Sequence, residues 1–129
     1  VFEDRISPSF VQQVWSCLQW LRDFGIVHND VRKPNWIVHK VGQVCRFLLI
    51  DFDEAHKGRS PGLRKFRNTS HAPTIDQEHG LEVDLWGLGR MISEAGHTKY
   101  GDRLMREYTT LNEEQVSTII AECCEKAFV

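Results

Sequence analysis

Two short segments of the chain concentrate side chains able to bind a metal and move a proton. The first reads Ile26-Val27-His28-Asn29-Asp30-Val31-Arg32-Lys33-Pro34-Asn35, the second Leu49-Ile50-Asp51-Phe52-Asp53. Between them lie two strand-like runs, 36–39 and 46–50, separated by residues 40–43, where Gly42 suits a turn. A strand hairpin brings its two ends together, so Asn35 and Asp51 are expected side by side. An amide and a carboxylate there offer hard oxygen ligands, which magnesium bound to phosphates requires. Asp30, five residues before Asn35, then faces the same pocket from the loop. A carboxylate so placed can position a hydroxyl and accept its proton as it attacks phosphorus.

Several elements must hold these segments in place. Ser7 can cap a helix whose first position is Pro8, and Gly25 follows its last apolar residue. Phe10, Val14, Cys17 or Leu18, Leu21 and Phe24 recur at helical spacing and predict one almost wholly buried stripe. The run Phe47-Leu48-Leu49-Ile50 is apolar on both faces of a strand, which predicts burial on both. Residues 53–73 are rich in charge and turn formers, and a loop of about 20 residues in a small domain is usually functional or mobile. Leu81, Leu85, Leu88 and Ile92, with Gly96 as C-cap, predict a second buried helix. Asn112 with Gln115 forms a weak capping box for a last helix, striped by Val116, Ile119, Ile120, Cys123 and Ala127.

The bulk properties are those of one ordinary domain. At 129 residues, 41% hydrophobic and 26% charged, the chain supports one core and is too short for two. A net charge of −2 gives no electrostatic case for nucleic acid or an anionic membrane as partner. No apolar run approaches the ~20 residues of a membrane span, and no signal sequence opens the chain. Cys17, Cys45, Cys123 and Cys124 contain no C-x-x-C pair, so the reading is reduced thiols and an intracellular setting, cytoplasm or nucleus. Val1 in place of Met suits a fragment of a longer chain.

Taken singly, these features are unremarkable: Asp-Phe-Asp is more often a strand end with solvated acids, and Asp84 a favourable charge in a helix's first turn. In order, they resemble the protein-kinase superfamily. H-x-D with Asn five residues after the Asp, then a hairpin and D-F-x, is similar to the kinase catalytic loop and metal-binding motif. Asp84-Leu85-Trp86-Gly87-Leu88-Gly89 resembles the D-x-W-x-x-G start of the central helix in the kinase lower lobe, and Ala72-Pro73 falls near the A-P-E position. The likeness covers roughly residues 7–95. It implies a mainly α fold with a short β-hairpin, a kinase-like C-terminal lobe with the N-terminal lobe absent. As a single domain over 1–129, it would carry a catalytic loop at 28–35, an activation-type segment at 51–73 and a central helix at about 82–95. By the same likeness Asp30 is the catalytic Asp and Arg32 steadies the transferred phosphoryl group. Asn35 and Asp51 hold Mg2+, while His28 and Asp84 support the catalytic loop. ATP is the implied co-substrate and a protein the implied acceptor.

The departures carry expectations of their own. Asn29 replaces the Arg that commonly pairs with a phosphorylated activation-loop residue, so switching by that route is not expected. Ser60, Thr69 and Ser70 stand as candidate phosphosites. Asp53 replaces the Gly of D-F-G, where it adds an acid near the metal and a residue less tolerant of left-handed backbone. Thr74 replaces the Glu of A-P-E, the usual anchor of the segment. Only six residues precede Ser7, too few for a glycine-rich loop, a strand Lys or its partner Glu. The implied function is ATP- and magnesium-dependent phosphotransfer to a protein Ser/Thr hydroxyl, inactive without an N-terminal lobe or upstream segment. Two other readings are open. Asp51-Phe52-Asp53-Glu54-Ala55 also resembles choline-kinase-like and aminoglycoside-kinase-like enzymes, and a pseudokinase lobe would bind a partner and catalyse nothing.

Overall fold

The computed structural model describes residues 6–128. Its first helix, α1 (Pro8–Asp23), begins where Ser7 Oγ accepts from the Phe10 amide at 3.2 Å and proline occupies the first turn. Phe10, Val11, Val14, Leu18 and Leu21 are buried. Phe24, expected in that stripe, lies past the last turn, 55% exposed, with its ring 4.5 Å from Trp20.

A two-residue strand, β1 (Ile26–Val27), follows and leads into the polar loop. A single 3-10 turn (Lys33–Asn35) then opens the hairpin of β2 (Trp36–Val41) and β3 (Val44–Leu49), in register Trp36↔Leu49 to Val41↔Val44. One face of the hairpin packs on α1, with Phe10 meeting the rings of Phe47 at 5.0 Å and Trp36 at 5.7 Å. Gln13 pins its edge, donating to the Cys45 carbonyl and accepting from the Phe47 amide. The other face is open. Ile37, Val41, Val44, Leu48 and Ile50 are exposed, so the expected burial of the 47–50 run on both faces is overturned. Alternation places Phe47 and Leu49 toward α1 and turns Leu48 and Ile50 away. No described element covers them.

Residues 53–73 are less irregular than their composition suggests. Strand β4 (His56–Lys57) pairs antiparallel with β1, and a 3-10 turn forms at Arg64–Phe66. Ser60 and His79 exchange backbone hydrogen bonds at 2.8 and 3.0 Å, and the Leu63 amide donates to Ile75 O at 2.8 Å. The two ends of the segment therefore run side by side.

Helix α2 (Glu82–Glu94) is the centre of the fold. Every residue from Val83 to Gly89 is buried, as are Met91 and Ile92. Helix α3 (Thr98–Glu107), which the sequence does not announce, crosses it at paired glycines. A Cβ on Gly89 would lie 2.9 Å from Gly101 O, and one on Gly101 would lie 2.5 Å from Gly89 O. Only glycine at both positions permits this approach. Helix α4 (Glu113–Lys126) starts on a complete capping box between Asn112 and Gln115 and packs on α1, where Trp15 Nε1 donates to Ser117 Oγ. The result is mainly helical, four helices and small two-stranded sheets among the described residues.

Candidate active site

The site begins with α2. Asp84 sits in its first turn, fully buried, and each carboxylate oxygen accepts one loop amide: Oδ2 from His28 at 2.8 Å, Oδ1 from Asn29 at 2.9 Å. Burial is the largest influence on this carboxyl, and despite the two amide donors it is pushed up to about 7. One turn later Gly87 presents bare backbone to the loop, and Val31 packs directly against it. The loop 28–31 is therefore seated on the helix at two points.

His28 is wholly buried. Its Nδ1 accepts from the Asp30 amide at 3.1 Å, so Nε2 carries the hydrogen donated to Ile50 O at 3.0 Å. Burial, the largest influence, lowers its pKa against the raising pull of Ile50 O and Asp30, and the ring is neutral. Phe52 meets its edge at 4.7 Å. His28 thus ties the loop to the strand end that carries Asp51.

Asp30 is the one carboxylate of the loop 28–35, and both its oxygens are bonded. Oδ1 accepts from Arg32 Nε at 2.8 Å and faces His71 Nε2 at 2.7 Å; Oδ2 accepts from Asn35 Nδ2 at 3.0 Å. Burial by itself raises this acid. Hydrogen bonds from His71, Arg32 and Asn35, with the charge of Arg32, together outweigh burial and hold the carboxyl at about 2.

Asn35 spends its amide group on Asp30, donating to both the side chain and the backbone oxygen, the latter at 2.8 Å. Its Oδ1 accepts no hydrogen bond among the described residues. The Ile50 amide donates to Asn35 O at 2.8 Å, which brings Asp51 to the base of the hairpin beside Asn35. Asp51 is exposed in the left-handed region, φ +61°, with one oxygen accepting from the Asp53 amide at 3.4 Å. The strained position in this motif is therefore Asp51, whereas the sequence directed attention to Asp53. One free amide oxygen and one exposed carboxylate fit a magnesium ion, which takes few protein ligands and keeps several waters. Asp53 is exposed beside them.

Asn29, φ +76°, takes up bonds that no sequence spacing announces. Its Nδ2 donates to Glu54 O and Ser60 Oγ, and its Oδ1 receives the buried His79 ring. Ser60 is fully buried, which removes it from the accessible phosphosites; Thr69 and Ser70 are exposed. Thr74, in place of a glutamate, bonds Tyr108 Oη at 2.7 Å and so ties the segment to the end of α3. The basic run is offset by neighbours: Lys65 pairs with Glu54, Arg59 with Glu78, and Arg67 with Asp76. Sequence reasoning missed His71 and His79 because each is 41 or more residues from its partner, with no periodicity to connect them.

Comparison with known proteins finds protein kinases among the proteins this chain is similar to. The chain is 26% identical over 97 residues to mitogen-activated protein kinase mpkC of Aspergillus terreus, covering 71% of this chain and 25% of that protein. It is 28% identical over 100 residues to the human RAC-beta serine/threonine-protein kinase, 73% of this chain and 20% of that one. For mitogen-activated protein kinase HOG1 of Debaryomyces hansenii the figures are 27% over 97 residues, 71% and 24%. The chain is thus kinase-like over about seven-tenths of its length, and it spans a fifth to a quarter of these three relatives. No family model matches it. No helix among the described residues is long and apolar enough to cross a membrane.

Proposed function

We propose that the chain is the catalytic C-terminal lobe of a protein-kinase-like enzyme, transferring the terminal phosphoryl group of ATP to a Ser/Thr hydroxyl of a protein inside the cell. The observation that carries this reading is the pairing of Asp30 with Asn35 on a loop whose amides are held by Asp84. In the reaction the acceptor oxygen bonds to the γ-phosphorus, the bond to the β-phosphate oxygen breaks, and ADP leaves. The hydroxyl proton passes to Asp30. A carboxyl held at about 2 is a weak base, so Asp30 first orients the hydroxyl and takes its proton late, once attack has made that oxygen acidic. Arg32 places positive charge beside Asp30 to steady the group in transfer. Asn35 Oδ1 and the Asp51 carboxylate would hold magnesium, which when bound neutralises charge on the phosphates.

An N-terminal lobe from outside this chain would supply the grip on the nucleotide, and the exposed face of Ile37, Val41, Val44 and Leu48 supports that need. The same face favours a second reading, a lobe that docks a partner without catalysis. A thermal-shift titration with ATP and magnesium separates them. A chain extended upstream should be stabilised, by roughly 3 kcal/mol at a hundredfold excess over Kd, and Asp51→Ala should abolish the effect. No shift in either this chain or the extended one overturns the enzyme reading, and a shift that survives Asp51→Ala overturns the metal assignment.

A further inference from the structure

His71 lies between the 3-10 turn Arg64–Phe66 and α2, with a side chain 11% exposed. Its ring stacks on Phe66 at 3.9 Å and 7°. Nδ1 is 2.6 Å from Thr69 Oγ1, and Nε2 is 2.7 Å from Asp30 Oδ1. An ionised Asp30 can only accept, so Nε2 donates to it. Nδ1 and the Thr69 hydroxyl share the other hydrogen bond of the ring, and that hydroxyl also lies 2.6 Å from the Phe66 carbonyl.

This leaves the two oxygens of Asp30 unequal. Oδ1 faces two donors, Arg32 Nε and His71 Nε2, whereas Oδ2 has one, Asn35 Nδ2, and an acceptor position to spare. We propose that His71 is a positioning residue: with Arg32 it closes Oδ1 and turns Oδ2 toward the incoming hydroxyl, so the carboxylate is aligned only while the 66–71 segment is seated. The inference rests on the reading of Asp30 as the carboxylate that receives that hydroxyl.

The charges around the ring come from two elements: Asp30 and Arg32 in the loop, and Lys65, which is 5.5 Å over the Phe66 ring and paired with Glu54. Arg67 is committed to Asp76.

The test is NMR of the whole chain, following the Asn35 side-chain amide. His71→Ala should move the Asn35 amide resonance, and His71→Gln, which keeps a donor for Oδ1, should return it toward its original position. An Asn35 amide unmoved in His71→Ala overturns the proposal, as does a Gln variant no better than Ala. Failure of ATP and magnesium to bind, with the Asn35 amide still responding to His71→Ala, would overturn the kinase reading and leave the contact standing.

Discussion

Replacing Gly87 by alanine tests whether the catalytic loop is seated on the central helix. Glycine inside a helix is about 1 kcal/mol poorer than alanine, so an unopposed substitution would stabilise. Here the new Cβ would fall 3.1 Å from Val31 Cβ, 3.2 Å from its carbonyl carbon, and closer still to its carbonyl oxygen. These are largely backbone atoms with no rotamer to move. Nor can the loop easily retreat, because Asp84, one turn earlier on the same helix, holds the amides of His28 and Asn29. Overpacking of this kind costs about 1–3 kcal/mol, and rigid backbone on the far side places it at the upper end. After the propensity gain, Gly87→Ala should lose about 2 kcal/mol, measured by urea unfolding at constant m-value. Amide chemical shifts should change at 28–32 and hardly at all in α4. A variant as stable as wild type, with the loop resonances unmoved, would refute the seating of Val31 on Gly87.

Other outcomes follow from the same contacts. The carboxyl of Asp84 is raised from 3.8 to about 7, so the folded state keeps a proton that the unfolded chain releases; its contribution to stability falls as pH rises from about 4 to 7. Asp84→Asn cannot ionise and should flatten that part of the profile; denaturant unfolding at pH 5 and pH 8 with an unchanged slope would contradict it. His79→Ala strips the buried Asn29 Oδ1 of its partner and opens a cavity, and should cost about 2–4 kcal/mol by chemical unfolding. A loss below 0.5 kcal/mol would mean that the ring is not what holds Asn29. Leu48→Ser, on the open hairpin face, should change stability by no more than about 0.5 kcal/mol while reducing the binding of an apolar dye. A large destabilisation would show that this face is covered in solution.

The parts of the fold readable from sequence are those written in local chemistry. Ser7 with Pro8, and Asn112 with Gln115, satisfy their own helix amides, so both starts could be placed to the residue. Helix α2 announced itself by its apolar period. Helix α3 did not: Gly101 interrupts it, and its buried side chains are few, because its closest approach to α2 uses the absence of a side chain. The hairpin was legible, but its burial was misjudged, since alternation tells which residues share a face and not whether anything lies over it. Asp30, Asn35 and Asp51 could be picked out because one turn and one hairpin bring them together. The partners that set their chemistry, His71 on Asp30 and the His79–Ser60 pair on Asn29, meet only through the path of the whole chain.

The open hairpin has one more consequence, for how the molecule breathes. Helix α2 is buried over most of its surface, and the loop bonded to Asp84 can open only with it, so amides around Asp30 should exchange with solvent near the rate of global unfolding. The hairpin hangs from α1 by one face and should open by itself at lower cost. The border between the slow and fast cooperative units then runs between Asp30 and Asp51. A cation bridging Asn35 and Asp51 would join the two units, and its binding would register as slowed exchange across β2 and β3, well away from the ion.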